Sequence, residues 1–216
     1  MKTKLTTILT FLGLSINVAS AGNGSAGISY ASDYFREGAL VSSEALQAKV
    51  SYGLQAAGLD ASVGIFTNQP VDGGVDTYII DAAFSKTLND TFTASLGLEH
   101  TEFVAGVATL DVTASVSLNT ILSPSLTVKR DTEDALYVFE VGASHEIDFD
   151  IAQLSLGALY GNTDVTSSSN IDYYSVGASL SRSLSDNSSI NASIDYVDSD
   201  SIDNESIFGL GLTINF

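Results

Sequence analysis

Ser206-Ile207-Phe208-Gly209-Leu210-Gly211-Leu212-Thr213-Ile214-Asn215-Phe216 decides how the whole chain is read. Phe208, Leu210, Leu212, Ile214 and Phe216 take alternate positions, and Gly209, Gly211, Thr213 and Asn215 fill the gaps. Side chains of a strand point alternately to its two faces, so one face here is apolar and the other small or polar. The sequence closes on an aromatic ring, where a soluble domain usually frays into water through a polar tail. We read a strand whose apolar face meets lipid and whose final ring sits at the membrane interface. The competing reading is the last strand of a soluble β-sandwich, which is also apolar on one face.

The stretch resembles the C-terminal signal strand of bacterial outer-membrane β-barrels, which ends in Phe and is read by the barrel-assembly machinery. The resemblance makes Phe208, Leu210, Leu212, Ile214 and Phe216 the expected membrane-insertion signal and that machinery an expected partner. The other end of the chain agrees. Met1–Ala21 carries Lys2 and Lys4, a short apolar run from Ile8 to Ile16, and Ala19-Ser20-Ala21. A basic start, a short apolar segment and an A-x-A site make a secretory signal peptide. Cleavage is expected after Ala21, leaving residues 22–216 as one domain. The apolar run is too short and too broken to span a bilayer, and no later stretch is long enough. A mature chain living in a membrane must therefore close into a barrel.

Composition narrows the function. Asp and Glu number 26 against 8 Lys and Arg, a formal charge of −18. That removes the basic footprint of a nucleic-acid binder. The chain has no cysteine, so neither a disulfide framework nor a thiolate metal site is expected, and no cofactor is implied.

Period-two alternation recurs along the chain and predicts an all-β fold, an antiparallel up-and-down transmembrane barrel of about 12 strands, with 10 as the lower bound. Typical outward sets are Phe92, Ala94, Leu96 and Leu98, or Tyr137, Phe139, Val141 and Ala143. The opposite face carries Ser, Thr, Gly and charge, as in Thr93, Ser95, Gly97 and Glu99. A solvent-facing sheet would be richer in Lys and Glu; small hydroxylated residues suit a crowded barrel interior. Spacing predicts short turns on one side, such as Asn89-Asp90, and longer polar loops on the other, at 37–44, 67–76, 162–171 and 198–207. Short periplasmic turns and longer external loops are the barrel pattern.

Ser32-Asp33-Tyr34-Phe35-Arg36-Glu37-Gly38 resembles the S-D-Y-x-x-R-G stretch of a bacterial porin family called TorF-like. Gln47 to Tyr52 fits the following strand of that family loosely, and Glu37 departs from the pattern by separating Arg36 from Gly38. The resemblance implies an outer-membrane barrel and little about substrate.

With the apolar face outward, the inward charges are Asp33, Lys49, Asp60, Asp81, Glu99, Asp111, Lys129, Glu140 and Asp195. Carboxylates lining a water-filled lumen favour cations or neutral polar solutes. The expected function is a porin-like channel in the Gram-negative outer membrane, with lipid, lipopolysaccharide and small solutes as partners. Asp81 and Glu140, mid-strand and away from bulk screening, are expected to dominate. The same charges could instead salt-bridge into a plug, giving a non-conducting structural, receptor or adhesin barrel. A lipid-modifying enzyme is the third class. It would need a base, and His100 and His145 share parity with lipid-facing residues, while no G-x-S-x-G elbow is present. Asp198–Glu205 reads as a solvated acidic external loop in preference to a calcium site, since it lacks the glycine and spacing of an EF-hand.

Overall fold

A computed structural model describes residues 23–216 apart from 57, 72, 105, 107 and 167. The expected signal peptide, Met1–Ala21, lies outside the described residues. Twelve strands follow one another: β1 Asn23–Arg36, β2 Ala39–Ala56, β3 Leu59–Pro70, β4 Thr77–Thr87, β5 Phe92–Phe103 and β6 Ala108–Leu118, then β7 Ser125–Asp131, β8 Tyr137–Phe149, β9 Ala152–Thr166, β10 Ser169–Ser185, β11 Ser188–Ser199 and β12 Ile202–Asn215. Each pairs antiparallel with its sequence neighbours, and β1 pairs with β12 to close the barrel. Closure leaves no sheet edge, which a bilayer requires because lipid cannot satisfy open N–H and C=O groups. Followed once around the barrel, the residue register returns to β1 about 16 positions from its start, the stagger that tilts strands by roughly 45°.

The alternation that predicts the strands also sorts their faces. Leu96, Val63, Val141, Val176 and Phe208 stand exposed on the outer face. Toward one rim that face turns aromatic. Tyr174 packs on Tyr196 at 6.3 Å, Tyr137 stacks on Phe139 at 6.0 Å, and Arg130 covers Tyr137 at 5.7 Å. The Tyr174 hydroxyl donates to Asp198 and that of Tyr160 to Asp172, at 2.7 and 2.9 Å. An apolar ring with its polar tip in water is the arrangement of an interfacial girdle. At the opposite rim the Phe216 ring lies across Gly24, and the two residues exchange both main-chain hydrogen bonds at 2.9 Å.

The expected long external loops are corrected. Glu37-Gly38 and Asp200-Ser201 are two-residue connections, and β9 and β10 are also two residues apart. The polar stretches read as loops are mostly strand. Beyond the bilayer both faces of a hairpin meet water, so apolar alternation stops while the ladder of hydrogen bonds continues.

One hairpin departs from the wall. β1 and β2 meet at Glu37 and Gly38, whose φ values of 51° and 87° form a tight left-handed turn. Below the turn the register slips between Tyr34 and Phe35, and Glu44 opposite takes φ 46°. Such bulges re-aim a strand. Pairing of β1 with β12 ends at Ala31–Gly209, and the Ser32 hydroxyl accepts the next free amide, Phe208 N–H, at 2.9 Å. Above Ser32 the hairpin folds into the lumen. There Tyr34 turns inward against Phe66, ring centroids 5.6 Å apart. Ala45, Asn68, Thr77 and Thr101 are fully buried beneath it, and Ile79 and Tyr173 nearly so. This small core inside the lumen holds the hairpin in place.

Candidate functional site: the lumen and its crossing hairpin

Strand register brings three carboxylates side by side on the inner wall. Asp81 on β4 faces Glu99 on β5, and Glu99 faces Asp111 on β6. Like charges directly opposite are destabilising unless cations intervene. Two do. Lys129 on β7 donates to Glu99 at 2.7 Å, and Arg36 in the crossing hairpin donates to the same carboxylate at 2.6 Å. Arg36 also lies 3.9 Å from Asp111 and 3.4 Å from its neighbour Glu37. Lys129 then reaches Glu37 at 2.6 Å. The result is a closed network that ties the hairpin tip to the wall opposite its own strands.

The other side of the tip is held too. Gly38 O accepts the hydroxyls of Ser199, at 2.8 Å, and Ser201. Gly38 itself faces Ile171 and Tyr173 so closely that a Cβ would collide with them. Tyr173 donates to Glu140 at 2.7 Å and meets Phe35 edge-on at 6.3 Å. A third anchor is a buried amide pair, with Gln47 Nε2 donating to Asn68 Oδ1 at 3.1 Å and Asn68 Nδ2 donating to Ser42 Oγ at 2.9 Å. Buried amides satisfied in this way fix a register as well as adding stability.

Four residues of the Ser32–Gly38 stretch frame the hairpin. Ser32 caps β12, Tyr34 packs the core, Arg36 joins the network, and Gly38 makes the turn.

The nine charges predicted to face inward separate into groups. Glu99, Asp111 and Lys129 belong to the network. Asp33, Glu140 and Asp195 line a cavity of about 450 Å³ between the hairpin and β8–β12. Asp81 stands beside Glu99, its carboxylate folded over Gly64. Lys49 is exposed in the lumen, and among the described residues it has no ion-pair partner. Asp60 lies at the inner mouth, where it accepts from Gln55 at 2.8 Å and borders a cavity of about 720 Å³. Sequence reasoning missed Arg36, Glu37, Tyr34 and Tyr173, and it assigned Glu37 to an external loop. The S-D-Y-x-x-R-G resemblance was the one signal that marked the segment.

The remaining candidates have simple surroundings. His145 Nδ1 lies 2.7 Å from Ile121 O, and His100 pairs with Ile80 and Leu110 on the outer face. Asp198 and Asp200 take strand-rim partners, the Tyr174 hydroxyl and the Asp172 amide.

No protein-family model matches the chain. No curated protein matches it in sequence. Solved structures do match in fold. A KdgM porin aligns over 89% of this chain and 99% of its own, with TM-score 0.61 and 12% identity. The COG4313 outer membrane channel from Pseudomonas putida F1 aligns over 92% and 97%, with TM-score 0.62 and 10% identity. A NanC porin aligns over 90% and 99%, with TM-score 0.56 and 10% identity. The class of fold is thus the closed, twelve-stranded, up-and-down antiparallel β-barrel, the fold found in these porins and in that outer membrane channel.

Proposed function

We propose that this chain is an outer-membrane channel for small polar solutes, favouring cations and uncharged molecules over anions. The carrying observation is the charge inside the barrel. Asp33, Glu37, Asp81, Glu99, Asp111, Glu140 and Asp195 face Arg36, Lys49 and Lys129 there. Low-dielectric walls focus this acidic excess on the water column. A KdgM porin of similar fold has been solved in complex with disordered oligogalacturonate, a polyanion. The acidic lumen here disfavours such a ligand and supports solutes of neutral or positive charge. The outward apolar belt and aromatic rim support residence in the outer membrane, among lipid and lipopolysaccharide, with delivery by the barrel-assembly machinery. The Ser32–Gly38 resemblance supports a TorF-like relationship.

A second reading has its own observation. The β1–β2 hairpin crosses the lumen and is tied down on both sides, as a non-conducting structural or receptor barrel would require. Single-channel recording of the purified barrel in planar bilayers, with liposome swelling in neutral sugars, separates the two. Discrete conductance steps and sugar-driven swelling support the channel; silence in both supports the plug.

A further inference from the structure

We infer that solutes pass off-axis, down the β8–β12 side of the lumen, and that Asp195 is the residue that sets their charge preference. The inference rests on the channel reading and locates the path within it.

The hairpin divides the lumen unequally. On the β3–β6 side, Tyr34 lies on Phe66, and Arg36 is locked to Glu99 and Asp111. Two adjoining cavities occupy the other side. The upper one, about 450 Å³, lies beneath the hairpin against β8–β12. The lower one, about 510 Å³, continues along β7–β11. Both are bordered by Leu159, Ser175, Ser193 and Asp195, so Asp195 sits where they meet. No residue of β3–β6 lines either cavity, and the cavity of about 720 Å³ beside Asp60, which β3 and β4 do line, lies at the inner mouth.

A Cβ on Gly157, in the lower cavity, would meet open space. Gly177 is the cross-strand partner of Asp195, and its missing side chain lets that carboxylate lie flat at the junction. Chemistry agrees as well. Glu37, Glu99 and Asp111 share two cations, Arg36 and Lys129, so two of their three charges are offset for a passing ion. Asp195 has no salt-bridge partner among the described residues and has Asp33 and Glu140 on the same cavity wall. An unpaired carboxylate on the wall of the path attracts cations more strongly than one already in an ion pair. Asp81 also has no salt-bridge partner among the described residues but lines neither cavity, so the centre of selectivity moves from Asp81 and Glu140, where strand position alone would put it, to Asp195 at the junction.

Two kinds of variant test this. Asp195→Asn should lower the cation-to-anion permeability ratio by roughly two- to fivefold at low salt, and Asp81→Asn should change it less. Gly157→Leu should cut single-channel conductance to about half or below by filling open lumen, while Thr113→Leu on β6 should leave it near wild type. The reverse ranking in either pair overturns the inference while leaving the channel reading intact. A wild type that passes no current overturns the channel reading, and thiol labelling then still decides the path. The chain has no cysteine of its own, so Ser179→Cys and Thr113→Cys each carry a single thiol. With a small membrane-impermeant cationic reagent added to intact cells, Cys at 179 should react first; equal or reversed rates contradict an off-axis opening.

Discussion

Lys129 on β7 and Glu37 in the β1–β2 turn meet at 2.6 Å, joining two walls that lie on opposite sides of a twelve-stranded barrel. No short loop on β7 could make this contact. It exists because the bulge at Tyr34–Phe35, with Glu44 at positive φ opposite, turns the first hairpin inward. The pair is part-buried, with side-chain exposures of 15% and 26%, so it gains more than a surface ion pair and desolvates less than a core one.

Lys129→Met should destabilise the barrel by about 1–3 kcal/mol, less than the roughly 3–5 typical of breaking a fully buried pair, because Glu37 and Glu99 keep some water. Glu37→Gln should cost less. The double variant should cost less than the sum, with a coupling of about 0.5–2 kcal/mol. Urea unfolding in lipid vesicles measures all three, and strict additivity would mean that the contact contributes nothing.

Gly38→Ala should destabilise the hairpin tip by about 1–2 kcal/mol, since φ there is 87° and the new methyl would strike Ile171 and Tyr173. Faster hydrogen exchange confined to the first hairpin is the expected signature. Unchanged exchange would mean that the tip is not packed as described.

Charge on the outer face should cost according to depth. Val141→Arg, in the apolar belt, should destabilise by about 2–4 kcal/mol, and Tyr174→Arg by about 0–1, because Tyr174 already reaches Asp198 at the polar rim. Equal costs in a vesicle folding assay would contradict the facing assignment.

Phe216→Ala should slow insertion. It removes a ring that covers Gly24 where β1 and β12 close, along with the aromatic end of the expected signal strand. The heat-modifiable, folded fraction in outer membranes should fall. A wild-type fraction would separate Phe216 from assembly.

How much of this was legible in the sequence follows from where water and lipid lie. Within the bilayer, lipid faces one side of each strand and lumen water the other, so Leu96 and Glu99 declare their sides through alternation. All twelve strands could be read on that basis. Outside the bilayer the contrast vanishes. Asn162, Asp164 and Asn170 are strand residues whose polarity reads as loop. Nor could alternation foresee Tyr34 or Arg36. A bulge resets parity without leaving a hydrophobic trace, and whether a hairpin folds in or out depends on partners such as Lys129 and Ser199, far away in sequence. Alternation offers the inward charges only as a set; it does not divide them into an ion-paired group and an unpaired one.

The most direct test of the account is the reversal potential of the wild-type barrel across a salt gradient in a planar bilayer. An acidic, off-axis lumen predicts current carried mainly by cations, with a preference that weakens as salt rises and the Debye length falls toward about 3 Å at 1 M. Anion preference would contradict the acidic lumen as the selectivity element, and no current at all would contradict the channel itself.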